Sequence, residues 1–221
     1  MFLEIPDLLT VAEINELRAI AGATPFIDGR ASNPHSKVKN NEFINEPAGF
    51  TRSAQLLGAA LQRNEEFNNW AFPRAFAHPR LTRYAGGGNY GLHADAAFLP
   101  LPNAAPLRSD LSCTIFLSPP ETYDGGELSV RLGTRTVEIK GPAGSAVIYP
   151  SNTLHEVKPV TRGERLVGLT FIESRIPDAH QRELLYELNE VAALEGLQMS
   201  WENYTRLQRV QAGLLRIWAD G

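Results

Sequence analysis

A single cysteine in 221 residues, Cys113, excludes a disulfide within the chain and agrees with a reducing compartment. Its setting, "LSCTIFLS", is an apolar strand-like run, in which a lone thiol serves as a small buried hydrophobe. No apolar run approaches the length that spans a bilayer, so a membrane partner is not expected. The opening "MFLEIPDLL" has neither a basic leader nor a cleavage pattern, and with the lone cysteine this leads to the expectation of a cytoplasmic protein. Charge of one sign is not in large excess. The formal net charge is only -4, which argues against nucleic acid as a partner. Internal repeats and low-complexity tracts are also missing. What remains, 43% hydrophobic and 21% charged, is the composition of an ordinary globular chain long enough for one substantial domain.

Periodicity divides the chain into three parts. Residues 1–77 read as helical and loop support. Within them "TVAEINELRAIAG" predicts a short helix with a Thr10–Glu13 capping box and an apolar stripe of Ile14, Leu17, Ile20 and Ala21. "SAQLLGAALQRNEEFNNWAF" has the same helical character, and the polar "IDGRASNPHSKVKNNEF" between them reads as a loop or an irregular edge. Residues 78–175 change to short strands: "LTRY", "YGLHADAAF", "LSCTIFLS", "GELSVRL", "TRTVEIK", "GSAVIYP", "LHEVKPV" and "RLVGLTFIES". Turn chemistry separates them, as in "YDGG", "GPAG" and "TRG". Eight close strands without intervening helices predict a mainly β fold of two antiparallel sheets, a jelly roll, with flanking helices. Residues 176–221 are helical again. Leu184, Leu185, Leu188 and Val191 share one face, and Trp201, Tyr204, Leu207, Leu214 and Trp218 form a second stripe expected to pack on a sheet.

One stretch of the strand-rich block, "NYGLHADAAF", spaces His93 and Asp95 so that on a strand both point into the same space. His155 opens the seventh strand and Arg165 the eighth. Arg165 alternates with Val167, Leu169 and Phe171, which points a guanidinium at an apolar interior, a costly arrangement unless an anion meets it. Two imidazoles and one carboxylate form the facial triad that leaves coordination positions open on Fe(II). Those positions suit a 2-oxo acid and dioxygen, with Arg165 forked onto the far carboxylate of the acid. Each element is weak alone: an HxD arises by chance, and a lone histidine is more often an ordinary hydrogen-bonded residue. The joint pattern within one strand-rich block is much stronger.

"RYAGGGNYGLHAD", "DLSCTIFLSPPETYDGGELSV" and "AVIYPSNTLHEVKPVTRGERLVGLTFIES" closely resemble the PKHD-type hydroxylases, relatives of prolyl and lysyl hydroxylases among the Fe(II)/2-oxoglutarate dioxygenases. The likeness extends to "EIPDLLT", "KVKNN" and "LLYELNE", so it runs nearly end to end. It implies a double-stranded β-helix core, His93, Asp95 and His155 as metal ligands, and Arg165 on the 2-oxoglutarate C5 carboxylate. It also implies an L-ascorbate-supported hydroxylation that releases succinate and carbon dioxide, and an association with iron uptake in some bacteria. Tyr84 is similar in place to a tyrosine that helps seat the cosubstrate in prolyl hydroxylases. Where the animal oxygen-sensing enzymes carry a second such tyrosine, this chain has Phe116, so the hydroxyl falls to Tyr84 or Thr114.

Other features take plainer readings. "AGGGN" has no following helix and no GK[ST], and reads as a hairpin loop. His35, His78 and His180 are not expected to bind iron. The loop carrying Lys37, Lys39, Asn40 and Asn41 is either solvated or a lip over the iron that selects substrate. Two rival functions use the same pocket: a non-catalytic iron or 2-oxoglutarate sensor, and a zinc hydrolase, which Arg165 argues against. The substrate, small-molecule or peptidyl, is not legible. Neither is the oligomeric state, since the aromatic C-terminal stripe can close the fold or bind a second copy.

Overall fold

A computed structural model describes residues 2–33, 36–101 and 105–219. The chain enters through β1 (Leu3–Ile5) and α1 (Val11–Ala23), and the capping box is formed: the Thr10 hydroxyl accepts from the Glu13 amide at 3.3 Å, and the Glu13 carboxylate accepts from the Thr10 amide at 2.8 Å. Leu17 and Ala21 are buried on α1, with Ile14 and Ile20 packed beside them. Next come β2 (Phe26–Asp28), β3 (Lys39–Asn40) and β4 (Glu42–Ile44), then α2 (Pro47–Arg63) and α3 (Glu65–Ala71). The second helical stretch is therefore two helices. It divides at Asn64, whose side chain accepts from the Phe67 amide at 2.7 Å and starts α3.

Short strands follow: β5 (Pro73–Phe76), β6 (Arg80–Ala85), β7 (Asn89–His93), β8 (Phe98–Leu99), β9 (Leu107–Arg108) and β10 (Leu111–Phe116). After them come β11 (Asp124–Gly125), β12 (Leu128–Leu132), β13 (Arg135–Ile139), β14 (Ala146–Pro150), β15 (His155–Val157), β16 (Val160–Arg162) and β17 (Glu164–Ser174). The chain closes with α4 (Ala179–Glu195) and α5 (Trp201–Trp218). All eight expected strands form. A large sheet runs in the order β1-β14-β10-β17-β6-β4-β2, with β5 also paired to β17, and a smaller one in the order β13-β12-β15-β7-β3. Every pairing among the described residues is antiparallel, and neighbours distant in sequence give the jelly-roll winding. The first 77 residues thus contribute edge strands to both sheets as well as helices.

β10 shows how the site acquires its two walls. All six of its residues are buried, yet their chemistry alternates. Leu111, Cys113 and Ile115 join the core between the large sheet and α1 to α3, together with Leu17, Leu57, Phe67 and Trp70. Ser112, Thr114 and Phe116 take the opposite face, toward the space between the sheets. There Phe116 packs with Tyr84, Val130, Val157 and Val167. The Cys113 thiol is a buried hydrophobe, its pKa pushed far up by burial.

The C-terminal helices depart from expectation. On α4 only Leu185 of the expected face is fully buried, while Leu184 and Val191 are exposed. No residue of α5 is buried, and its aromatic stripe does not lie on a sheet. α4 already occupies the flank of α3, so α5 stacks on α4, with Gln211 donating to Asn189 at 2.9 Å, and Trp201 stays 76% exposed.

At the other end, Arg63 forks onto Glu13 with two contacts of 2.7 Å and donates to the Leu8 carbonyl at 3.1 Å, tying α2 to the start of α1. The Arg63 hydrogen bonds hold the Glu13 carboxyl at about 2, against an ordinary 4.5. A carboxyl depressed in the folded state stabilises the fold above its unfolded pKa and loses that contribution as pH falls through the folded one. Glu13→Gln should therefore lower stability at neutral pH by about 1 kcal/mol, the solvent-screened value for a partly exposed pair. The deficit should vanish as pH falls from 4.5 toward 2, which urea melts across that range would read.

Candidate active site

His93 and His155 face one another as cross-strand partners of β7 and β15, their ring centroids 4.3 Å apart. Between the pairs His155–His93 and Val157–Tyr90, β15 advances two residues and β7 three. This β-bulge breaks strict alternation and turns Tyr90 and His93 to the same side. The two rings stack with centroids 3.6 Å apart. Asp95 does not lie on the strand, contrary to the simple reading of HxD. β15 begins at His155, so β7 has no partner beyond His93, and Asp95 sits two residues past its end. Its amide instead donates to the Ser151 carbonyl at 3.0 Å, which returns the carboxylate to the histidines.

The three donors converge. The Asp95 carboxylate lies 3.7 Å from His93 Nε2 and 3.6 Å from His155 Nε2, and the ligating atoms all fall within 4.8 Å of one another. An ion about 2.1 Å from each donor can bridge atoms up to about 4.2 Å apart, so both Asp95–His distances fit a shared metal. The outer nitrogens are committed: His93 Nδ1 lies 2.7 Å from the Gly91 carbonyl and His155 Nδ1 2.9 Å from that of Thr153. A carbonyl only accepts, so each Nδ1 carries the proton and each Nε2 offers a lone pair. Ser112 donates to Asp95 at 2.5 Å, and hydroxyl contacts of 2.8 Å continue to Ser151 and Ser109. Burial pushes the Asp95 carboxyl upward, but His93, His155 and Ser112 outweigh it and hold it below the ordinary range. Burial lowers the His155 imidazole, favouring its neutral form. Both changes suit a cation's ligands.

The second half of the site lies on the facing sheet. Arg165 is 1% exposed, and among the described residues none of its three guanidinium nitrogens has a hydrogen-bond partner. The guanidinium stacks 5.0 Å over Tyr84, its cross-strand partner on β6, and 5.6 Å over Phe116. A buried cation without an anion is unstable on its own, so the cradle fits a carboxylate that comes with a ligand. Tyr84 is buried, and Asn41 Nδ2 donates to its hydroxyl at 2.9 Å. Thr114 is buried on the inward face of β10, beside Tyr149 and midway between Ser112, which touches Asp95, and Phe116, which touches Arg165.

Sequence reasoning missed three side chains here, and placed a fourth, Asn41, only in a loop that is solvated or a lip over the iron. Ser112 steadies Asp95, Tyr90 floors His93, Asn41 holds Tyr84, and the buried Tyr123 hydroxyl lies beside the Arg165 guanidinium. Only Ser112 carried a signal, as a polar residue alternating with apolar ones on a strand. His78 and His180 are exposed and stand apart from the cluster, which is the one such group among the described residues; His35 lies outside them.

The "YDGG" turn also serves the site. Gly126 sits at φ 70°, and a Cβ there would come within 2.9 Å of Val160 and 3.1 Å of both Arg165 Cδ and Tyr123. Gly126→Ala is expected to cost about 1–3 kcal/mol of stability and to displace the arginine. A thermal melt would check the first effect. Weaker binding of a small dicarboxylate would check the second.

Comparison with known proteins agrees with this arrangement. Residues 79–173 match the model of the 2OG-Fe(II) oxygenase superfamily. A PKHD-type hydroxylase of Sphingopyxis alaskensis is 54% identical over 97% of this chain and 98% of its own length. One from Stenotrophomonas maltophilia is 37% identical over the whole of both chains. The fold is shared with a prolyl hydroxylase of Trichoplax adhaerens solved with a hypoxia-inducible-factor peptide (TM-score 0.58, 15% identity, 81% of this chain and 86% of that one). It is shared also with a viral collagen prolyl hydroxylase (TM-score 0.53, 19% identity, 78% and 96%). The chain belongs to the PKHD-type hydroxylases, 2-oxoglutarate- and Fe(II)-dependent oxygenases with a jelly-roll core.

Proposed function

We propose that His93, Asp95 and His155 hold Fe(II), that Arg165 and Tyr84 take the C5 carboxylate of 2-oxoglutarate, and that Thr114 borders its path between them. The observation that carries this reading is the unpartnered, buried guanidinium of Arg165 on the sheet facing a three-donor cluster. When bound, Fe(II) and 2-oxoglutarate supply the activation of dioxygen, with loss of carbon dioxide, formation of succinate and hydroxylation of a C–H bond. The protein's share is geometric. His93 and His155 keep their donor nitrogens aimed by fixed tautomers, Ser112 fixes the Asp95 rotamer, and Arg165 sets the distance of the far carboxylate from the metal. Phe116, Val157 and Val167 keep the floor dry, which strengthens every charge contact in it.

L-Ascorbate is the reductant we assign, sustaining turnover when no substrate is consumed. The substrate is a small molecule or a peptidyl side chain, and nucleic acid and membrane are not partners. Net charge supports the first exclusion. For the second, no helix among the described residues is long and apolar enough to cross a membrane. The cytoplasm is the assigned location, consistent with a chain whose one cysteine, Cys113, is buried. Purified protein in air with Fe(II) and ascorbate should convert 2-oxoglutarate to succinate even without added substrate. Absence of any iron-dependent succinate, with iron and 2-oxoglutarate still bound, would favour a sensor that uses the same pocket.

A further inference from the structure

Two half-buried cations, Lys39 and Arg80, stand on the inward faces of the two sheets without an ion-paired carboxylate among the described residues. β3 is the edge strand of the smaller sheet, and Lys39 pairs with Tyr90, the residue stacked on His93. Cross-strand partners project to the same face, so Lys39 points inward, its Nζ 5.4 Å over the Tyr90 ring. Arg80 stands on the facing sheet. It alternates on β6 with Thr82 and Tyr84, opposite Leu169, Val167 and Arg165 of β17, and so shares the inward face of the 2-oxoglutarate cradle. Its guanidinium stacks 4.4 Å over Phe43 and 5.6 Å over Phe50. Both cations are half-buried; Arg80 stands close enough for its charge to bear on Lys39, as do, with opposite sign and beyond ion-pair distance, the carboxylates of Asp95 and Asp28. Among the described residues the only hydrogen bond from Lys39 Nζ goes to Ser32 Oγ at 2.7 Å, and no carboxylate lies within ion-pair distance of either cation. Other arginines of the N-terminal sheet edge are paired, Arg83 with Glu42 at 2.8 Å and Arg30 with Asp28 at 2.6 Å.

Two half-buried like charges, neither in direct contact with a carboxylate, are destabilising, and a ligand that brings an anion into contact with them resolves the arrangement. The cosubstrate is already accounted for: two neutral imidazoles, one carboxylate, ferrous iron, a dianionic oxo acid and Arg165 sum to neutrality. The charges of Lys39 and Arg80 are left over. We infer that Lys39 and Arg80 form the substrate's anion subsite, so that this enzyme hydroxylates a compound bearing a carboxylate or phosphate-like group, seated between them over Tyr90. This rests on the oxygenase reading above and adds the chemical class of substrate to it. Tyr90 joins the two parts, with one ring against the metal-binding imidazole and within reach of the lysine.

The test uses full-length protein loaded with Mn(II) and N-oxalylglycine, an inert analogue that fills the 2-oxoglutarate place. Phenylacetate, phenylphosphonate and the neutral phenylacetamide are then titrated in turn, with binding followed by NMR and calorimetry. The anions should bind on the order of tenfold more tightly than the amide, the worth of one charge-assisted contact. Lys39→Met and Arg80→Gln should each remove most of that preference, and Lys39→Arg should restore it. Equal affinities, no detectable binding of any probe, or a preference that survives both substitutions would overturn the subsite. Failure of N-oxalylglycine itself to bind would instead sink the oxygenase reading, and the anion preference would then be judged on the Mn(II)-loaded protein alone.

Discussion

Arg165→Met should raise the melting temperature of the ligand-free protein while destroying its affinity for 2-oxoglutarate. The two effects share one cause. In the folded chain the guanidinium is 1% exposed, and among the described residues none of its three nitrogens has a well-formed hydrogen bond, so folding strips its water and returns stacking on Tyr84 and Phe116 and the nearby Tyr123 hydroxyl. Methionine keeps much of the volume without the charge, and replacement of an uncompensated buried ion by an apolar side chain gains about 1–3 kcal/mol. For a chain of this length each kcal/mol moves the melting point by roughly 2–4 °C. With ligand the balance reverses. A carboxylate that enters the cavity without its fork is buried alone, at a penalty of about 3–5 kcal/mol, more than a hundredfold in Kd. Differential scanning fluorimetry with and without 2-oxoglutarate reads both halves at once. A variant less stable than wild type without ligand would show that Arg165 is a structural ion, not a waiting one.

The second large effect is expected at Asp95. Asp95→Ala removes the sole anionic donor and leaves two imidazoles to hold the metal. Loss of one ligand of three should lower iron-dependent succinate formation by about a thousandfold or more, an effect of about 4 kcal/mol. The fold should hardly change, because Asp95 follows the end of β7 and its backbone contact to Ser151 survives the substitution. The ligand-free protein should be slightly less stable at neutral pH, since a carboxylate held below its ordinary range by His93, His155 and Ser112 is exchanged for a methyl group. Succinate assays paired with circular dichroism distinguish this from unfolding, and full activity in a folded variant would refute the ligand assignment.

The legible and illegible parts of the sequence divide by the range of the interactions concerned. The Thr10 capping box and the α1 stripe are local, and each forms as written. Strand alternation is nearly local: it puts Arg165 with Val167 on the interior face and reveals a guanidinium in an apolar setting. Asp95 shows the limit. The spacing in HxD suggested one strand, but β7 stops where its partner β15 starts, and a register between distant segments cannot be read from either. The bulge that brings Tyr90 onto His93 has the same origin. In the sequence Asn41 reads as part of a polar loop, solvated or a lip over the site. It is buried because β3 and β4 pair with β7 and β6, which places its amide on Tyr84. The α5 stripe misled for a different reason. Amphipathic periodicity names a face but not what covers it, and α4 had already taken the flank of α3.

Anaerobic titration of Fe(II)-loaded protein with 2-oxoglutarate tests most directly whether these four side chains make one bidentate metal and oxo-acid pocket. Chelation of ferrous iron by the keto and carboxylate oxygens gives a visible charge-transfer band. The expected result is a saturable band in wild type, lost in Asp95→Ala and shifted to far higher 2-oxoglutarate concentration in Arg165→Met. No band in wild-type protein that demonstrably holds both iron and 2-oxoglutarate would contradict it.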